Sequence, residues 1–197
     1  MRRSLSLIAL AMPLATYSAT AAAPGSAPAV TPWLLSLSQM PTGWVVSPPS
    51  SGTLSSCANV TDAIASRHPG HDGKAAFRSA SGAPALLEEV ASWPTASAAR
   101  GTWAYIDHRL AGCHSVSAKV GKTPVAIAIK PLALPKVGNS SAGFEAIGTF
   151  QGERVVYALD IARKGRAVLS FVYGNIGTVD QAQAVHLLGL AVVKVKG

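Results

Sequence analysis

Acidic residues are scarce in this chain. Nine Asp and Glu stand against seventeen Lys and Arg, giving a formal charge of +8 over 197 residues. Such a surplus favours acidic surfaces, anionic lipids or wall polymers among them. The basic residues are scattered, however, and cluster only at Arg163-Lys164-Gly165-Arg166 and Lys194-Val195-Lys196. Nucleic-acid binding asks for a denser stripe with base-reading or stacking groups, so that class of partner is set aside and solvation is the ordinary reading of the charge. Long apolar runs are missing too. The one extended stretch, residues 5–14, is interrupted by Pro13 and falls short of the roughly 20 residues a membrane-spanning helix needs. No stable membrane insertion is expected.

That short run has the layout of a secretory leader. Arg2 and Arg3 supply the charged start, residues 5–14 the apolar core, and Ala19-Thr20-Ala21 a small-residue cleavage region. We read residues 1–23 as a signal peptide, 24–32 as a flexible Ala/Pro/Gly/Ser-rich lead-in, and 33–197 as one domain. Losing Arg2 and Arg3 removes two positive charges and lowers the formal charge from +8 to +6. No cysteine lies near the cleavage region, which argues against a lipid anchor. The expected destination is outside the cytoplasm, secreted or in the cell envelope.

Cysteine is the next scarcity, with Cys57 and Cys113 alone. In an exported chain two cysteines read as one disulfide. The alternative is a pair of free thiols, one of them a nucleophile with His114 beside it. Residues able to carry chemistry are likewise few. His68 and His71 have an H-x-x-H spacing, but Pro69-Gly70 makes the segment 68–73 a surface turn, and zinc wants three or four ligands. Ser140 lacks the second glycine of a hydrolase elbow, since Ala142 stands there. Asp107 and His108 are adjacent on a helix and point about 100° apart. We assign no catalytic residue, no metal ligand and no cofactor.

What is present is a run of strands over 113–174. Val125, Ile127 and Ile129 alternate with Ala126, Ala128 and Lys130, the period-two signature of a half-buried strand. Pro131 marks its end or an edge. Further strands are predicted over 143–150, 153–162, with Val155, Tyr157, Leu159 and Ile161 on one face, and after the short Arg163–Arg166 link, with Leu169, Phe171 and Tyr173 on one face. Links that short require antiparallel neighbours. Val168 and Val172 make the last strand apolar on its other face as well, which calls for a cover or offers a bed for an apolar ligand. Short strands are also expected at 45–46 and 75–81.

Helices are predicted around this sheet. Trp33, Leu34, Leu37 and Met40 recur at helical spacing, and 60–66 has room for one or two turns. Pro84 suits the first turn of a helix with Leu86, Leu87, Val90 and Ala91 inward and Glu88 and Glu89 exposed. Thr95 is a plausible N-cap for a longer helix with Ala99, Trp103, Ile106 and Leu110 on one face, closed by Gly112. Thr178 and Gln181 form a capping-box pair ahead of a final helix with Val185, Leu188, Val192 and Val195 on one face. The class is α+β: a curved antiparallel sheet of five to six strands with helices packed on it.

Several stretches together resemble a known family. Leu34-Leu35-Ser36-Leu37-Ser38-Gln39-Met40-Pro41-Thr42-Gly43-Trp44, the Cys57…Cys113 frame, Leu134-Pro135-Lys136-Val137-Gly138-Asn139-Ser140-Ser141, Arg163-Lys164-Gly165 and a final helix bearing Asp180 are similar, in order and spacing, to the actinobacterial extracellular sensor domain. That domain is found on a mycobacterial transmembrane Ser/Thr kinase and on many exported proteins. The resemblance covers about 33–196. It implies a curved antiparallel sheet with a cleft between sheet and helices, and a binding role instead of an enzymatic one. The kinase-borne domain has a second disulfide, and many relatives carry an anchor cysteine; neither is found here. The expectation narrows to an exported binding module for an unidentified small ligand, anionic or lipid-like. Trp103, Tyr105 and His108 are candidates for the rim of the cleft. A carrier of lipid-like molecules and an unrecognised secreted hydrolase are the alternatives.

Overall fold

A computed structural model describes residues 27–49, 56–120 and 123–196; the signal peptide read at 1–23 lies outside them. In chain order the elements are β1 (Trp44–Val46), α1 (Val60–Ala65), β2 (His71–Ser79), β3 (Ala85–Ser92), α2 (Ala96–Ala111), β4 (Ser115–Val120), β5 (Thr123–Leu132), β6 (Ser140–Phe150), β7 (Glu153–Lys164), β8 (Ala167–Ile176) and α3 (Gln181–Lys194). The architecture is α+β. Among the described residues there is one open sheet of eight strands in the order β1-β2-β3-β8-β7-β6-β5-β4, every neighbouring pair antiparallel.

The order joins two meanders, β1–β3 and β4–β8, through β8. It also leaves β3 and β4, consecutive in sequence, five strand positions apart. Five spacings of about 4.8 Å make about 24 Å, and the 16 residues of α2, rising about 1.5 Å each, cover the same distance. α2 is therefore a strut laid across one face. Its N-cap is Thr95, whose Oγ1 accepts from Ala98 N–H at 3.1 Å, as anticipated. Ala99, Ile106 and Leu110 are buried beneath it, with Thr102 completing the inner row and its hydroxyl donating to Ala98 O.

Under α2 and α1 lies one core, with Ile127, Ile129, Phe144, Leu159, Ile161 and Val168 on the sheet side. Val168 is fully buried, so the second apolar face of β8 has a helical cover and is no open bed for a ligand. The opposite face holds Leu86, Leu169, Phe171 and Tyr173 against Leu187, Leu188 and Val192 of α3. Each such side chain contributes about 1.5–3 kcal/mol on burial. Cys57 and Cys113 form the expected disulfide, with Cα atoms 5.6 Å apart and 56 positions between them. It ties the exit of α2 to the turn before α1.

Several expectations are corrected. The sheet has eight strands, not five or six, because two were missed. β4 went unread. β3 occupies the segment expected to be a helix from Pro84, because it lies between β2 and β8 with both faces covered; its apolar residues then do not alternate cleanly. Residues 33–40 form two separate 3₁₀ turns (Thr31–Trp33 and Leu37–Gln39), since Leu35 N–H is drawn instead to the Glu88 carboxylate at 2.7 Å. The segment 68–73 is a turn only as far as Gly70, for β2 starts at His71. The cap of α3 is Asp180, whose Oδ1 accepts from Gln183 N–H at 3.0 Å, in place of the Thr178–Gln181 pair. The described part of the lead-in is docked, with Ala27 and Val30 buried and Ser92 Oγ donating to Pro28 O.

Replacing both cysteines by serine is expected to remove about 4 kcal/mol, the chain-entropy value for a loop of this length. Thermal melts should fall by roughly 8–16 °C for a domain of this size. A drop of a degree or two would show that packing alone holds α2 across the sheet.

Candidate functional site

An open groove of about 300 Å³ lies where the C-terminal half of α2 meets the ends of β5 and β6. Asp107 and Ala111 line it from α2, Pro131 and Leu132 from the end of β5, Leu134 from the segment beyond, and residues 141–144 from β6. The notch has a structural cause. β4 pairs with β5 as far as Ser115↔Ala128, with His114 O accepting from Ile129 N–H just beyond, so among the described residues the last part of β5 has no outer strand and the helix end stands beside it. Pro131, which cannot donate to a ladder, sits in that stretch, paired with Phe144 on its inner side.

The wall formed by Leu134 is held by two sequence motifs that meet in space. Ser141 Oγ donates to Pro135 O and accepts from Val137 N–H, each at 3.1 Å. Asn139 N–H donates to Arg163 O, and Asn139 Oδ1 accepts from Gly165 N–H, both at 2.7 Å. Gly138 makes this clip possible. Its φ is +71, and a Cβ there would lie 2.6 Å from Arg163 O.

The three rim candidates are split by the helix. Trp103 is half-buried and packs against the α2-side core. It lies four residues before Asp107 and eight before Ala111, on the ridge that leads into the groove. Tyr105 and His108 are exposed on the outer side. There the Tyr105 ring carries the Arg67 guanidinium 5.3 Å from its centroid, and its hydroxyl accepts from Arg109 Nη1 at 3.3 Å. The basic side chains of the β7–β8 link are turned to backbone carbonyls. Arg163 reaches Gly165 O, Lys164 reaches Val192 O and Arg166 reaches Pro94 O, at 3.1 to 3.5 Å.

Sequence reasoning missed the buried acids. Glu88 and Glu89, expected to be exposed, are 0% and 4% exposed on opposite faces of β3, and Asp160 of β7 is 1% exposed. Glu88 and Asp160 both pair with Phe171, so they flank it on the α3 face about 10 Å apart. Glu88 anchors the N-terminal segment through Leu35 N–H. Lys194 secures the same segment by donating to Leu34 O and to Gln39 Oε1. Asp160 stands across from Gly143 of β6: a Cβ on that glycine would lie 3.0 Å from Asp160 Oδ1 and 3.2 Å from Leu134 Cβ.

Burial pushes Glu88 up to about 7, opposed by the Leu35 N–H and the Lys194 charge. Burial likewise pushes Asp160 up to about 7, with Gln181 opposing. Glu89 is raised by burial, against the Thr61 hydroxyl at 2.7 Å and the Lys74 ammonium at 3.6 Å. Glu88 Oε1 and Asp160 Oδ1 have no hydrogen-bond partner among the described residues, consistent with carboxyls that favour the protonated form.

This is an α+β domain with a disulfide-tied crossover helix and an open groove at that helix's end. The extracellular domain of PknH from Mycobacterium tuberculosis, known from its crystal structure, shares the fold: TM-score 0.56 over 77% of this chain and 76% of that one, at 13% identity. No known family matches the sequence, nor does any curated protein. A formed disulfide is the chemistry of an oxidising compartment, and with the extracellular neighbour it points to an extracytoplasmic domain. No described helix is long and apolar enough to cross a membrane.

Two outcomes follow. The unfolded chain releases the Glu88 and Asp160 protons at their ordinary values near 4, and the folded chain keeps them to about 7. Their contribution to stability is therefore complete at low pH and lost as pH rises through that window. Melts should be higher at pH 5 than at pH 8, and Glu88→Gln should flatten the slope; a flat wild-type profile would contradict it. Separately, Gly138→Ala should cost about 1–3 kcal/mol. Gly152→Ala, at φ +85 but with nothing within 4 Å of the added methyl, should cost clearly less in the same melts.

Proposed function

We propose that this chain is an exported, sensor-like binding module of the cell envelope, delivered by the leader at 1–23, that holds a small ligand in the groove and catalyses no reaction on it. The observation that carries the reading is the groove itself, formed at the end of a tethered helix in a fold shared with the extracellular domain of PknH. Its lining supports binding more than turnover. Apolar side chains dominate, and Ser141, the hydroxyl nearest to a nucleophile, is engaged at both its donor and acceptor positions. A volume of about 300 Å³ is at the small end of ligand sites. The lipid-carrier alternative loses its motive, because the second apolar face of β8 is filled by α2.

Native mass spectrometry of the domain purified from its own host tests the proposal. A co-purifying small molecule is expected, and Ala111→Trp, an exposed groove-lining position, should lower its occupancy by tenfold or more while melts shift little. Equal occupancy in wild type and variant, or none in either, would overturn the assignment.

A further inference from the structure

We infer that the groove selects a ligand with an apolar body and a cationic head, and that Asp107 is the counter-ion. The inference rests on the groove being the binding site. Pro131, Leu132, Leu134 and Phe144 offer the body an apolar surface, and Asp107 is the charged side chain among the lining residues. Asp107 is half-buried and makes no hydrogen bond or ion pair among the described residues.

Two nearby cations, Arg109 and Lys130, are directed elsewhere. Arg109 turns to Cys57 O at 3.2 Å and to Tyr105. Lys130 is paired with Glu145 at 2.8 Å. Asp107 also lies near the C-terminus of α2, where the helix dipole adds negative potential and favours a cation. A carboxylate partly withdrawn from water and facing apolar walls is strongest toward an ammonium that brings its own apolar tail, because each part of the ligand then meets its complement.

Matched probes separate this inference from the reading beneath it. Octylamine, octanol and octanoate, at concentrations below micelle formation, are titrated into the domain and followed by the amide resonances of Ala111, Leu132, Leu134 and Phe144. Octylamine should saturate these shifts at a concentration about tenfold or more below the other two. Asp107→Asn should weaken octylamine by roughly 10- to 100-fold, the range for a hydrogen bond to a charged group, and leave octanol unchanged. If octanoate or octanol binds most tightly at these residues, or Asp107→Asn leaves the amine preference intact, charge selection falls while the groove stands. If none of the three moves these resonances, both fall.

Discussion

The crossover of α2 is the constraint from which the rest follows. Strands β3 and β4 are neighbours in sequence and lie at the third and eighth positions of the sheet, so the connection must span most of its width. A helix of 16 residues does so with its backbone hydrogen bonds satisfied internally. Once laid there, it covers the face that Val168, Leu159 and Ile127 would otherwise expose. It also brings the chain to the outer edge with Cys113 at its exit. The disulfide to Cys57 fixes that exit, and the groove is the space left between the fixed helix end and the uncovered last residues of β5.

The period-two reading worked where one face of a strand carries clear alternation. Val125, Ile127 and Ile129 are all buried on the α2 side, as spaced. It failed at β3 because Leu86, Leu87, Val90 and Ala91 fit a helical stripe equally well, and because glutamates argue for solvent. What puts Glu88 and Glu89 inside is tertiary: one receives Leu35 N–H from a segment 53 residues earlier, the other the Thr61 hydroxyl from α1. No local pattern encodes such partners. β4 is a different case, since Ser115, Ser117 and Lys119 alternate with Val116, Ala118 and Val120. The signal was there to be read.

The site was legible in part. Helical periodicity and the cysteine pair marked α2 as a wall, and Trp103 does stand on the ridge that enters the groove. Aromatic character drew attention to Tyr105 and His108, yet the residues at the groove are Asp107 and Ala111. The difference is rotational: residues four apart share a ridge, and the sequence does not say which ridge faces the gap until the partner strands are placed. The role of the segment 134–141 was equally hidden. Its meeting with Arg163 and Gly165 is a contact between two turns far apart in the chain, and only a glycine at Gly138 lets the backbones approach.

The position of β8 has a consequence for assembly. It is the last strand in sequence and the only described strand that touches both meanders, β3 on one side and β7 on the other. Neither half can be stitched to the other before it arrives, so the native sheet closes late, through pairings distant in sequence, which are slow to form. A polypeptide with this topology keeps its sheet open until its final quarter is available.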